Sequence, residues 1–166
     1  ATSAADASSV GDLNNADVEF AQGMIAHHEQ AIEMAEIAAD PNVGARPEVV
    51  SLARRIREAQ EPEVEQMTAW LTAAGKPLTM DMSDGHDMSA MPGMMSSMQM
   101  DMLAAAKGDE FDAMWIEMMI EHHEGALSQA NDVLTKGTDA ELARLARGII
   151  TVQEQEIEEL RSLLGP

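Results

Sequence analysis

The chain contains the stretch MMIEHHEGAL at residues 118–127, and a similar stretch, MIAHHEQAI, at residues 24–32. In both, a methionine stands three residues before the first of two adjacent histidines, and a glutamate follows the second. The two copies hold four of the five histidines in the chain. A repeat of this kind predicts two similar structural units, each carrying one histidine pair.

Helical periodicity predicts where these histidines point. In the first copy, His27 shares a helical face with Met24 and Met34. His28 lies on a neighbouring apolar face with Ile25, and the opposite face is rich in glutamate, as a solvated helix surface is. The second copy has the same arrangement, so all four paired histidines are predicted to face the core. A buried imidazole needs partners for its ring nitrogens.

Composition and charge narrow the class of protein. A chain of 166 residues supports one domain with a sizeable core, and its formal net charge is −20. Such a charge disfavours nucleic acid and anionic membrane surfaces as partners and favours cations. There are no cysteines, which excludes disulfides and thiolate metal sites, and no apolar run is long enough to span a membrane.

The positions of helix-breaking residues divide the chain into an N-terminal leader and one domain. We expect residues 1–15 to be a flexible leader that follows a removed export signal, and 16–166 to be a single helical domain. Within it, 16–75 and 109–164 are predicted to be helical hairpins, joined by a methionine-rich crossover at 76–108. The predicted helices run over about 15–39, 47–74, 94–107, 109–135 and 139–164.

Particular residues are expected to shape these helices. Asn15 and Thr138 are the expected N-caps of the first and last helices. Pro62 lies inside the second helix and predicts a kink there. Helix-forming segments such as LAR at 52–54 and 145–147 also repeat. Two similar hairpins with apolar faces predict an all-α four-helix bundle.

The second helix of each hairpin carries polar residues on its core face. Gln60 and Glu63 interrupt the first, and Gln153 and Glu156 interrupt the second. When each hairpin folds about its turn, these residues reach the same depth as the histidine pairs. The sequence therefore predicts a layer of His, Gln and Glu in the middle of the bundle.

Two interpretations of this layer stay open. In one, the Glu and Gln side chains hold the histidines by hydrogen bonds and give the core a register. In the other, one histidine of each pair faces a metal ion together with Met24 or Met119, and Gln60, Glu63, Gln153 and Glu156 orient the ligands from behind. The first is expected for one histidine of each pair, because adjacent residues diverge by about 100° on a helix.

The donor types favour a soft ion. Thioethers select Cu(I) or Ag(I) over hard ions, and imidazole also binds copper. Of the fifteen methionines, twelve lie between residues 80 and 119. The candidate ligands are Met24, His27, His28, Met34, Met118, Met119, His122 and His123 in the helices, and Met80, Met82, His86, Met88, Met91, Met94, Met95 and Met98 in the crossover.

The crossover methionines fall into two groups with different predicted roles. Those at irregular spacing around His86 are hard to explain as core filler, which favours a role in metal binding. Met94, Met98 and Met102 have helical spacing, so we expect this stripe to dock a short helix on the bundle.

Rival catalytic sites lack their motifs. A ferritin-like di-iron site needs Glu-x-x-His on two helices, but Met or Ile stands three residues before each paired histidine. The zinc motif His-Glu-x-x-His is absent, and no serine or cysteine nucleophile arrangement is visible. We therefore expect the protein not to be an enzyme.

The repeated Met-x-x-His-His, with Gln60, Glu63 and Trp70 and with Pro92-Gly93-Met94, resembles family 305 of the domains of unknown function. That family includes the CopM-like copper-binding proteins of bacteria, and the resemblance covers about residues 17–164. It implies a ferritin-like helical bundle, exported to the periplasm or cell surface, with members that bind Cu(I) and act in copper resistance. In this chain Gln129 stands where the first half has Met34, so we expect the two halves to differ in binding.

We accordingly expect an extracytoplasmic protein that binds Cu(I), and also Ag(I), for buffering, resistance or transfer. A copper-transport or efflux protein would be its partner. The alternative is a structural or interaction bundle in which the polar layer is only a hydrogen-bond network. A third interpretation is a redox enzyme that uses the bound copper.

Overall fold

A computed structural model describes residues 12–81, 83 and 90–165, and this part of the chain contains helices and no β-strand. The helices are α1 (Asn15–Ala39), α2 (Pro47–Ala73), α3 (Ser97–Ala105), α4 (Gly108–Lys136) and α5 (Ala140–Leu164). α1 packs along α2 and α4 along α5, and the two hairpins meet mainly through α1 and α4. The predicted four-helix bundle of two hairpins with a helix-containing crossover is confirmed.

The helix termini correct two of the predicted caps. Asn14, not Asn15, caps α1, and its side chain accepts a hydrogen bond from Asp17 N at 2.9 Å while Asp17 accepts one from Asn14 N at 3.0 Å. Asp139, not Thr138, caps α5 through Leu142 N at 2.8 Å. In both places two capping residues are adjacent, and periodicity does not choose between them. The folded part thus begins before residue 15, while residues 1–11 of the expected leader lie outside the described residues.

α2 begins with Pro47 in its first turn and continues through Pro62 without interruption. The expected kink at Pro62 stays a prediction. The helix ends at Ala73, close to the predicted end at 74.

The crossover helix is shorter than predicted and packs through a different face. α3 covers only Ser97–Ala105, and Ser96 caps it in a capping box with Gln99. The predicted docking stripe is wrong, because the side chains of Met98 and Met102 are 72% and 52% exposed. The core is instead contacted by other crossover residues, namely Met95, Leu103 and Ala106. Docking depends on how the crossover approaches the bundle, which helical spacing alone does not specify.

The apolar interior forms two clusters. One contains Met24, Met67 and Ala126, and the other contains Ala31, Ile56 and Met119. On α1 the order is Met24 then Ala31, whereas on α4 it is Met119 then Ala126, so α1 and α4 run antiparallel. The four paired histidines lie between the clusters along both helices. The predicted polar layer is therefore the boundary between two halves of the core.

One hydrogen bond ties α1 to α4 inside this core. The indole Nε1 of Trp115 donates to the Met34 carbonyl oxygen at 3.0 Å, and the Trp115 side chain is fully buried. A buried indole N–H needs such a partner, and the bond sets the relative height of the two helices.

No helix in the described ranges has both the length and the apolar character needed to cross a membrane.

Candidate metal centre

The centre of the molecule is a contact between the two halves. The His27 and His122 rings meet with their centroids 3.7 Å apart and their planes tilted by 37°. Both side chains are buried, with 1% and 0% exposure. The first histidines of the two predicted pairs therefore lie at the same height and face each other.

The second histidine of each pair is held by a carboxylate. His28 Nε2 lies 2.5 Å from Glu63 Oε2, and His123 Nε2 lies 2.6 Å from Glu156 Oε2. In each pair the ring N–H donates to the carboxylate, and hydrogen bonds to a charged acceptor are short and strong. The expected division within each pair is present, because one histidine bonds to glutamate and the other does not. Each Nδ1 atom of His28 and His123 has no hydrogen-bond partner.

The ring nitrogens of His27 and His122 are unpartnered. Nδ1 and Nε2 of both rings are buried and make no hydrogen bond. Leaving a buried polar atom without a partner typically costs about 1–3 kcal/mol. Four such atoms lie in this one contact, and Nδ1 of His28 and Nδ1 of His123 add two more unpartnered ring nitrogens to the layer, which needs an explanation.

Burial keeps these two rings neutral. Burial, together with the smaller effects of the neighbouring His28 and His123, lowers the pKa of His27 from 6.5 to about 3. The backbones of Pro92 and His122 oppose part of this shift, although neither makes a well-aligned hydrogen bond with the ring. Burial likewise lowers the pKa of His122 well below its ordinary value, with the adjacent histidines acting in the same direction. A neutral imidazole has the free lone pair that a metal ligand requires.

Thioethers stand on both sides of this contact. Met24 and Met119 are fully buried and precede His27 and His122 by three residues, which puts each sulfur-bearing side chain on the same helical face as its histidine. Met34 is also fully buried, and Met118 is partly buried. Within the described residues, no three side chains of the types His, Asp and Glu are grouped so as to hold a metal ion. Met24 and Met119 are therefore the candidate donors that could accompany the two central imidazoles.

This donor set fits a soft ion. Neutral imidazole and thioether are ligands that suit Cu(I) and Ag(I), and hard cations prefer the oxygen ligands that the central contact lacks. The unpartnered nitrogens of His27 and His122 are the atoms that such an ion would satisfy.

Gln60 and Gln153 do not make the expected hydrogen bonds. Both side chains are buried, but Gln60 Oε1 and Gln153 Oε1 have no partner. Their predicted part in orienting ligands stays a prediction.

The crossover methionines occupy different environments. Met95 is buried in the core, Met80, Met91 and Met94 are partly buried, and Met98 is mostly exposed. Met82, His86 and Met88 lie outside the described residues. The crossover therefore does not act as one uniform set of ligands in the part that the structure describes.

Two contacts hold the crossover over the histidine layer, and the helical periodicity of the sequence predicts neither of them. The Gln30 side chain donates to Met95 O at 2.9 Å and accepts from Met95 N at 2.8 Å. Gly93 lies against α4, where a Cβ atom on Gly125 would stand 2.0 Å from Pro92 O. A glycine inside a long helix was the one available signal for this close approach.

The sequence profile of the family described as Domain of unknown function (DUF305) matches residues 17–164. This chain belongs to that family.

Solved DUF305 structures share its fold. A candidate secreted DUF305 protein from Streptomyces coelicolor is 33% identical, with a TM-score of 0.81 over 90% of this chain and 90% of that chain. A DUF305 fragment from Deinococcus radiodurans is 30% identical, with a TM-score of 0.81 over 92% of this chain and 97% of that chain. None of the curated protein sequences compared with this DUF305 chain matches it.

The DUF305 chain is also similar to CopM. The Cu(II)-bound form of CopM is 33% identical, with a TM-score of 0.73 over 89% of this chain and 94% of that chain. CopM has also been solved in Cu(I)-bound and Ag-bound forms, each 30% identical to this chain.

Proposed function

We propose that this DUF305 protein binds Cu(I), and also Ag(I), at the central layer and buffers or transfers the ion without catalysing a reaction. The observation that carries the proposal is the buried contact of His27 with His122, in which all four ring nitrogens lack a partner. Met24 and Met119 add thioethers from the two opposite sides of the layer. The capture of CopM, a similar protein, with Cu(I), Cu(II) and Ag supports the choice of metal.

Binding needs a local movement of the two rings. In the structure, the His27 and His122 rings meet through their faces, so their nitrogens do not point at one common position. A rotation of the side chains would turn a nitrogen of each ring towards a shared ion. Ligation would satisfy buried atoms that otherwise have no partner, which favours the rotated arrangement.

The outer histidines would support this site from behind. Glu63 fixes the ring of His28, and Glu156 fixes that of His123. Both carboxylates bond to the histidines adjacent to the central pair and would help to offset the charge of a bound monovalent cation.

The whole molecule favours cations and an extracytoplasmic role. A formal charge of −20 attracts positive ions at long range, and the soft donors then select among them. The similarity to a candidate secreted protein from Streptomyces coelicolor supports a location outside the cytoplasm. A copper-transport or efflux protein would be the natural partner for a buffer of this kind.

The test is a Cu(I) titration against a competing chelator. Met24→Leu with Met119→Leu should weaken Cu(I) binding strongly and leave Zn(II) affinity nearly unchanged, because only the soft ion uses thioether ligands. Leu replaces Met at similar volume, so the fold should be retained. Met67→Leu is the matched control, since Met67 is equally buried and the second half has Leu160 at the equivalent place. Equal losses for both metals would contradict thioether ligation.

The second candidate is a structural or interaction bundle without a metal. The hydrogen bonds of His28 with Glu63 and of His123 with Glu156 favour it, because they give the layer a structural role already. Cu(I) binding no tighter than millimolar in the same titration would support this candidate.

A further inference from the structure

A cleft beside the histidine layer has no part in the central site. It is a surface cleft of about 270 Å³ between α1 and α4, and the crossover forms one wall with Met80, Met91 and Pro92. Gly23 lies at its α1 side and Gln129 at its α4 side. The cleft opens to solvent, in contrast to the buried rings of His27 and His122.

Two thioethers converge on one point in this cleft. A Cβ atom built on Gly23 would lie 3.5 Å from Met91 Sδ and 3.9 Å from Met80 Sδ. Gln129 Oε1 would lie 3.6 Å from the same position. Methionine side chains are unbranched and flexible, so both sulfurs can close on a single ion there.

The glycine in this place is not required by sterics. All three distances are ordinary van der Waals contacts, so an alanine would fit. Gly23 lies inside α1, where glycine costs roughly 0.5–1 kcal/mol relative to alanine. The glycine therefore leaves open a space that is close to both sulfur atoms, at a cost in stability.

The cleft adjoins the central layer. Pro92 lines the cleft, and its backbone also acts on the His27 ring. Gly23 precedes His27 by one turn of α1. Pro92 is therefore next to both the open cleft and the buried histidine.

Charge at the cleft favours a cation. Glu19 and Asp132 both line it, and Lys136 is paired with Asp132 at 2.8 Å. The remaining carboxylate of Glu19 adds to a molecule that is already strongly negative. A monovalent cation reaching the surface here meets carboxylates first and thioethers behind them.

We propose that Met80 and Met91 form a second soft-metal site over Gly23, which takes Cu(I) or Ag(I) from solvent before the ion passes Pro92 to the histidine layer. The onward transfer rests on the proposed function, whereas binding in the cleft does not.

The experiment titrates Ag(I) into protein labelled with ¹³C at the methionine methyls and in the histidine imidazole rings, and it follows both sets of resonances. In the native chain, the Met80 and Met91 methyls should shift with the first equivalent, and that of exposed Met98 should not. Gly23→Ala places a methyl group 3.5 Å from Met91 Sδ and 3.9 Å from Met80 Sδ. It should abolish both shifts, while the imidazole resonances of His27 and His122 still respond. Met91→Leu removes one of the two sulfur atoms without changing any residue of α1, and it should abolish the Met80 shift.

Gly148→Ala is the matched control, because it makes the same change inside α5 with nothing within 4 Å of the new Cβ atom. It should leave every Ag(I)-dependent shift as in the native chain. Gly23→Ala should be at least as stable as the native protein, so a loss of the Met80 and Met91 shifts in this variant would not be due to unfolding.

Absence of the Met80 and Met91 shifts in the native chain, or their persistence in Gly23→Ala, overturns the cleft site. Cleft shifts without any response of His27 and His122 would support the cleft site and refute the proposed central function.

Discussion

In each histidine pair, the two neighbouring residues make different contacts and therefore have different chemistry. His27 and His28 are neighbours in sequence, but the helix turns them apart by about 100°. His28 therefore meets Glu63, whereas His27 meets the ring of His122. The pKa values of the two central rings are strongly lowered, mainly because burial penalises their charged form.

The metal-free protein should lose stability as the pH falls below 6.5. The pKa of His27 is about 3 in the folded protein against an ordinary value of 6.5, and that of His122 is lowered in the same direction. Between these values the unfolded chain binds protons that the folded protein does not, so the free energy of unfolding rises with pH. His27 alone should cost about 2 kcal/mol at about pH 5 relative to about pH 7, measured by urea unfolding.

The control is the double variant His27→Gln with His122→Gln. It lacks both titrating groups, so its free energy of unfolding should fall less between the two pH values. A fall as large as that of the native chain would show that other groups cause the pH dependence.

At the scale of secondary structure elements, the close approach of the crossover restricts which side chains α4 can carry. Gly125 lies in the middle of a 29-residue helix, where its lack of a side chain is unfavourable. Its role is to let Pro92 and Gly93 lie directly on the helix backbone next to His122. The same approach explains why Met95 docks the crossover and Met98 does not.

Gly125→Ala should destabilise the protein although alanine is the better helix former. The new Cβ atom would stand 2.0 Å from Pro92 O and 2.7 Å from Gly93 Cα, and backbone atoms cannot move aside as a side chain can. We expect a loss of about 1–3 kcal/mol in the free energy of unfolding. Gly148→Ala, in open space on α5, should instead gain roughly 0.5–1 kcal/mol. If urea unfolding showed that both variants are more stable than the native protein, the predicted clash at Gly125 would be contradicted.

At the scale of the whole molecule, each hairpin is bound to the loop of the other by a buried aspartate near the start of its first helix. Asp17, near the start of α1, accepts hydrogen bonds from Thr138 N at 3.1 Å and Asp139 N at 3.2 Å in the α4–α5 loop. Asp112, near the start of α4, accepts from Arg46 N at 3.2 Å in the α1–α2 loop. Each buried carboxylate stands ten residues before its histidine pair, so the duplication extends to the contacts between the hairpins.

Asp17→Ala should weaken the whole bundle. The change leaves the backbone N–H groups of the α4–α5 loop without their acceptor, and a hydrogen bond to a charged group contributes about 1.5–3 kcal/mol. We expect a loss of at least this size in the free energy of unfolding, measured by urea titration. Asp101→Ala, at an exposed position of α3, should change stability by no more than about 0.5 kcal/mol. Equal stabilities of the two variants would mean that Asp17 does not hold the hairpins together.

The sequence by itself determined the four long helices, their pairing into two hairpins and the height of the polar layer. These features follow from local periodicity and from the repeat, and His28 does meet Glu63 as the count of residues from the turn predicts. Helix ends were less well determined, since Asn14 and Asn15 are adjacent and both can cap.

Only the tertiary structure decided which histidine of each pair meets the other half. It also decided that Pro92 and Gly93 lie on Gly125, that Met98 is exposed, and that two crossover sulfurs lie close to Gly23. The physical reason is that these features depend on how closely segments distant in sequence approach one another. Periodicity specifies which face of a helix is apolar, but the distance to the neighbouring backbone is set by packing of the whole chain.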